Sequence, residues 1–308
     1  MSYAIQLDGI DFRAGSFRIR NLSLSVPEGS IYGFLGPNGS GKTTTIRLFM
    51  GLLRPLAGRI EVLGQPMPSA ADRVLARVGY VPERPHLYPR LTVAETLRYH
   101  AAFYPTWDNE WAFELVERLR LDPRRPVRRM SKGEKGKLLI LLAIAQRPEL
   151  LVLDEPTDGL DPVVRRDVLT AVLDYVSHTN ATVFISSHLV HELERICDWV
   201  GVVDDGGLVA ELPMEQFKNG IKRIRVVNPP VDTSDAPFRV LSRRFVDRHE
   251  PTETWVVRGW QGRACSYFER IGATLQDVVD LDLEEGFVEL LRTARPGDNG
   301  YGNGAGSL

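Results

Sequence analysis

Residues 36–43, Gly-Pro-Asn-Gly-Ser-Gly-Lys-Thr, have the residue types and spacing of a loop that wraps a polyphosphate. The fixed glycines, Gly36 and Gly41, let the backbone pass close to an anion. The loop through Pro37, Asn38, Gly39 and Ser40, with the start of the following helix, then surrounds phosphate oxygens with N–H groups. Lys42 reaches the β- and γ-phosphates, the Thr43 hydroxyl binds Mg²⁺, and Thr44 follows in the first helical turn. A second set closes the apolar run Leu-Leu-Val-Leu at residues 150–153. Asp154 there can hold the Mg²⁺, and Glu155 can polarise an attacking water. In the stretch Met-Ser-Lys-Gly-Glu-Lys-Gly-Lys, residues 130–137, Ser131 and Glu134 have the spacing of a capping box. They precede an apolar run that reads as a helix buried on all sides.

These residues need elements to position them. Residues 3–35 alternate apolar with polar in short runs parted by Gly and Pro, and are read as strands. The phosphate loop sits between the strand SIYGFL and the helix TTTIRLFM, the context its chemistry requires. A mostly helical stretch runs to about residue 150, interrupted by GRIEVLG and the proline-rich segment 78–92. The apolar runs ELLVLDEP and ATVFISS flank a helix at 162–178, the pattern of buried parallel strands. DWVGVVDDGGLVAEL reads as two short strands about a turn. After about residue 218 the character changes. Three strands, IKRIRVV, FRVLSRRFV and ETWVVRG, and helices near 264–272 and 284–293 predict a small α+β domain, and the Gly-rich segment 295–308 is expected to be disordered.

The ordered set GPNGSGKTT, GYVPERPHLY, MSKGEKGK, LLVLDEPTDGLDP and FISSHLVHELERICD resembles the nucleotide-binding subunit of ATP-binding cassette (ABC) transporters over about residues 3–215. The resemblance implies an α/β phosphate-loop ATPase core, in which a RecA-like sheet is joined by an antiparallel β subdomain and a helical subdomain at about 88–148. It would occupy residues 1–218, with the small α+β domain at 219–294. ATP and Mg²⁺ are the implied cofactors. Ser131 and Gly133 would contact the γ-phosphate bound by a second subunit, and Asp161 would sit between the two sites while capping the helix that opens at Pro162. His188 would touch the γ-phosphate, Phe12 would lie against adenine, and His191 reads as helical surface. Two positions depart from the family's commonest pattern. Glu83 stands where a Gln often ligates Mg²⁺, and a carboxylate can still serve. The signature reads Ser131-Lys132-Gly133-Glu134, which adds a cation beside a polyphosphate.

The resemblance further implies an ATP-dependent dimer with a second copy or a related ATPase subunit, and a separate membrane permease. That gives a peripheral location on the cytoplasmic face of the membrane. The C-terminal domain resembles the extension on ATPases that pair with ABC-2 exporters. Composition agrees. With 38 Lys plus Arg against 40 Asp plus Glu, the formal charge of −2 supplies no global basic field, so no nucleic-acid partner is expected. Cys197 and Cys265 fit neither a disulfide framework nor a metal spacing, which points to a reducing compartment. The N-terminal residues lack the pattern of a secretory signal, and no apolar run has the length of a membrane span. A soluble, ribosome- or DNA-directed ABC ATPase fits less well, with one cassette and no long coiled coil. A phosphate-loop kinase would leave SKGEK and His188 without a use. The basic run PRRPVRRM, residues 123–130, reads as a solvated face.

Overall fold

The computed structural model describes residues 2–247, 251–262 and 264–294. By contacts the chain divides into two compact units. One comprises the residues up to Leu189 with Ile196–Leu208, and the other Val190–Arg195 with the residues from Val209 onward, earlier than the residue 219 at which the sequence changes character.

In chain order the first unit contains β1 (Tyr3–Ala14), β2 (Phe17–Pro27), β3 (Ile31–Leu35), α1 (Lys42–Phe49), β4 (Ala57–Val62), β5 (Gln65–Pro66), α2 (Ala71–Leu75) and β6 (Val78–Val81). It continues through α3 (Val93–Ala101), α4 (Asn109–Arg118), α5 (Lys132–Ala145), β7 (Leu150–Asp154), α6 (Pro162–Thr179), β8 (Thr182–Ser187) and β9 (Trp199–Asp204), after which β10 (Gly207–Pro213) begins. One sheet has the order β2-β1-β4-β5, the other β10-β9-β3-β8-β7-β6. In the second, β3 pairs in parallel with β8 and β9, and β7 with β6 and β8. Every residue of β3, β7 and β8 is buried, as unbroken apolar runs covered on both faces require. The phosphate loop, the Asp154–Glu155 pair and His188 therefore leave the same carboxyl-terminal edge of three adjacent strands, where open parallel sheets bind ligands.

Packing fixes that edge. Phe184 of β8 stacks on Tyr32 at 5.6 Å between ring centroids and meets Phe49 edge-on at 5.1 Å, which anchors α1 against the sheet. Asp161 caps α6, its Oδ1 accepting from the N–H groups of Val163 and Val164, with Pro162 in the first turn. The capping box of α5 forms as its spacing predicts, and Leu138, Ile140–Ala145 are buried.

The second unit holds α7 (Val190–Leu193), α8 (Met214–Gly220), β11 (Ile221–Val227), β12 (Arg239–Asp247), β13 (Thr252–Arg258), α9 (Ala264–Ile271), β14 (Thr274–Asp280) and α10 (Leu283–Ala294). Its antiparallel sheet has the order β12-β13-β11-β14. Trp255, Phe238, Tyr267 and Phe268 fill the core between sheet and α9. The sequence pattern does not predict α8 or β14. In α8 only Met214 and Phe217 are buried, and β14 is exposed at nearly every position, so neither carries a periodicity to read. The segment 295–308, expected to be disordered, lies outside the described residues. Among the described residues no helix is long and apolar enough to cross a membrane.

Candidate nucleotide site

The phosphate loop is shaped by its neighbours. A Cβ on Gly36 would stand 2.4 Å from the Val203 carbonyl oxygen and 2.5 Å from Ser40 Oγ, so only glycine fits between β3 and β9. Gly41 has φ +112°, which favours glycine, and turns the chain into α1. The Lys42 ammonium folds back over this loop. It donates to the Gly36 carbonyl at 2.6 Å and the Pro37 carbonyl at 3.1 Å, and lies 3.1 Å from Glu155 Oε1. Both side chains are buried, 5% and 8% exposed, so the pair is only weakly screened by solvent.

Glu155 has φ +50°, a left-handed conformation that a non-glycine residue holds only where its surroundings impose it. Here the Glu155 N–H donates to Ser186 Oγ at 3.0 Å, and Glu155 Oε2 lies 2.9 Å from His188 Nδ1. Lys42, Glu155 and His188 form one chain of charged and polar contacts across the strand ends. The same Ser186 hydroxyl donates to Asp154 Oδ1 at 2.8 Å. Asp154 is 1% exposed, and among the described residues its Oδ2 makes no well-formed hydrogen bond, the nearby Thr43 hydroxyl being its weak neighbour. Burial pushes its carboxyl above the ordinary Asp value, the hydroxyls of Ser186 and, next, Thr43 oppose this, and the nearby charges of Glu83 and Glu155 add to it. Glu83 follows β6 and accepts from Thr43 Oγ1 at 3.4 Å. Thr43, Glu83 and the orphaned Asp154 oxygen are hard oxygen donors, which fit a Mg²⁺-sized cation that takes its remaining ligands from water and phosphate. Among the described residues no cluster of three His, Cys, Asp or Glu could hold a metal unaided.

A cavity of about 640 Å³ opens beside these groups, lined by Asn38, Gly39, Gly41–Thr44, Glu83, Glu155 and His188, and also by Ala14, Phe17 and Asp158, whereas Gly36, Pro37, Ser40 and Asp154 are not part of its lining. The volume is that of a small-molecule site. Phe12, expected against adenine, does not line it. Phe12 pairs with Ile19 across the hairpin; Phe12 and Phe17 are both half-buried and pack on the core, and it is Phe17 that also forms part of the cavity wall, its ring 2.9 Å from where a Gly41 Cβ would stand. Asp158 also escaped the sequence reading, although its place between Glu155 and Asp161 was a usable signal.

Ser131, Gly133 and Asp161 do not line this cavity. Ser131 Oγ accepts from the Glu134 N–H at 3.1 Å and the Glu134 carboxylate accepts from the Ser131 N–H at 2.8 Å. Helix geometry leaves the N–H groups of Lys132 and Gly133 without an intrahelical acceptor. Gly133 is small for a packing reason too, since a Cβ there would stand 3.0 Å from Val164 of α6. Lys132 turns to its own chain. Its ammonium lies 3.6 Å from Asp158 Oδ2, and its side chain fills the space over Gly159, where a Cβ would meet it. His191, read as helical surface, is exposed.

The family model described as ABC transporter matches residues 19–158. The bacitracin transport ATP-binding protein BcrA of Bacillus licheniformis is 34% identical over 284 residues, covering 89% of this chain and 92% of its own. The Nod factor export ATP-binding protein I of Cupriavidus metallidurans is 36% identical over 198 residues, 63% of this chain and 65% of its own. A solved ATP-binding subunit of an ABC transporter superposes with a TM-score of 0.64 at 27% identity, over 70% of this chain and 92% of the other.

Proposed function

The chain belongs to the ATP-binding subunits of ABC transporters, and from that premise we propose that it binds MgATP in the cavity beside Lys42 and hydrolyses it as one half of a dimer that drives an exporter permease. The observation that carries this reading is the Lys42–Glu155–His188 contact chain beside the unpartnered Asp154 oxygen. An incoming γ-phosphate replaces the Gly36 and Pro37 carbonyls and Glu155 as partners of the Lys42 ammonium, which frees Glu155 Oε1. Glu155 then accepts the proton of the attacking water, with His188 fixing the orientation of its carboxylate. Thr43 and Asp154, with Glu83 beside them, would hold Mg²⁺, which would supply positive charge against the phosphates. Phe17, on the cavity wall beside Gly41, offers adenine a stacking face.

The N-terminal turn of α5 completes the site of a second subunit, with Ser131 and Gly133 aimed at its γ-phosphate. The second subunit is another copy or a related ATPase. The membrane-spanning part is a separate polypeptide docked near the Glu83 loop, and the chain works on the cytoplasmic face. Export is supported by the relatives that act in bacitracin transport and Nod factor export.

The test is Glu155→Gln. ATP binding should persist while turnover falls roughly 10²- to 10⁴-fold, the usual contribution of a general base. Hydrolysis at the parent rate would remove Glu155 from that role and the reading with it.

A further inference from the structure

The basic run before the signature holds one arginine placed unlike its neighbours. Arg125 donates to the Arg129 carbonyl through Nε at 3.2 Å and Nη2 at 2.9 Å, and to Glu134 Oε1 through Nη1 at 2.9 Å. Glu134 Oε2 meanwhile holds the Ser131 N–H. One guanidinium thus spans the start of α5, tying the backbone two residues before the N-cap to the acid of the capping box. The planar fork of arginine makes this possible, whereas a lysine ammonium is a point charge.

Arg125 is also bound on its other side. Its carbonyl accepts from the Val93 N–H at 3.1 Å, Val127 N–H donates to the Leu91 carbonyl at 2.9 Å, and Arg128 N–H donates to the Pro89 carbonyl at 2.9 Å. Thr92 and Pro126 form a bridge between the two segments. The segment carrying Arg125 is therefore stitched to the connection that runs from Glu83 into α3.

We propose that Arg125 is a positioning residue for the ATP-sandwiching turn: through Glu134 it fixes the N–H groups of Lys132 and Gly133, and it makes their position follow the Glu83 connection. The inference rests on the dimer reading above. It gives one member of the basic run a task within the chain, where the sequence suggested only a solvated face.

The experiment measures ATP-dependent dimerisation by sedimentation in the Glu155→Gln background, beside ATP affinity at low protein concentration and a thermal melt. Arg125→Ala should weaken the dimer roughly three- to tenfold, the scale of a partly exposed charge-assisted contact, with ATP affinity and folding retained. Arg125→Lys should recover only part of the loss, and Arg128→Ala should lose nothing. Combined with Glu134→Gln, which keeps an acceptor for Ser131 but removes the charge, Arg125→Ala should add little. Parent-like dimerisation of Arg125→Ala, an equal loss in Arg128→Ala, or an undiminished loss beside Glu134→Gln would each overturn the inference and leave the dimer reading standing. Failure of Glu155→Gln itself to dimerise with ATP would overturn both.

Discussion

The carboxyl of Asp154 is buried with one oxygen unpartnered, an arrangement that serves a cation and costs the fold. Because burial raises its folded pKa above the unfolded value, the folded protein binds the proton more readily. Stability is therefore lost as pH rises from the ordinary Asp value through the raised folded value, and stays lower above it. Asp154→Asn retains an acceptor for Ser186 and removes the charge. It should raise the melting temperature of the nucleotide-free protein by a few degrees at neutral pH, an advantage that shrinks as the pH is lowered through that window, while Mg²⁺-dependent hydrolysis is abolished. Thermal melts across pH check the first part and phosphate release the second. A melting temperature at or below the parent value would mean that Asp154 is not held against its charge. At this scale the sequence was informative, because the phosphate loop, the paired acids and His188 are contiguous strand ends whose residue types name their chemistry.

Elements were legible where one period ran unbroken and obscure where register decided. The runs at β7 and β8 read directly as buried strands, and Ser131 with Glu134 marked the start of α5. The hairpin of β1 and β2 was different. Its register shifts between Leu7 and Ile10 and again between Ile10 and Phe12, with Gly9 and Asn21 both at positive φ. Each slip moves the following side chains to the other face, so alternation alone could not say whether Phe12 or Phe17 faces the cavity. The structure separates them, and so should mutation. Phe17→Ala should weaken ATP binding about tenfold, within the ~1–3 kcal/mol of a base stacked on an aromatic ring, beside a stability cost like that at Phe12, which packs on the same core. Phe12→Ala should cost about 2 kcal/mol of stability, less than a fully buried phenylalanine, but leave nucleotide affinity unchanged. Titration with a fluorescent ATP analogue distinguishes the roles, with denaturant melts confirming that both variants fold, and an affinity loss in Phe12→Ala alone would restore Phe12 to the adenine.

For the whole molecule, the first unit carries the groups for nucleotide chemistry and the second has a separate aromatic core of its own. Much of β14 in that second unit was invisible in the sequence for the reason that exposes it: a solvated edge strand needs no apolar pattern. The contact of Lys132 with Asp158 has a consequence at this largest scale. Asp158 lines the chain's own cavity, while Lys132 opens the turn offered to the other subunit. In the proposed dimer each subunit would thus sense, through one cation, whether its neighbour is loaded, and the two nucleotides would report on one another. ATP hydrolysis by the parent should then rise sigmoidally with ATP concentration, and Lys132→Gly should bring the Hill coefficient down toward one with each site still able to bind. A parent curve that is already hyperbolic would show two engines firing independently; a sigmoid that flattens in the variant would make Lys132 the timing link between them.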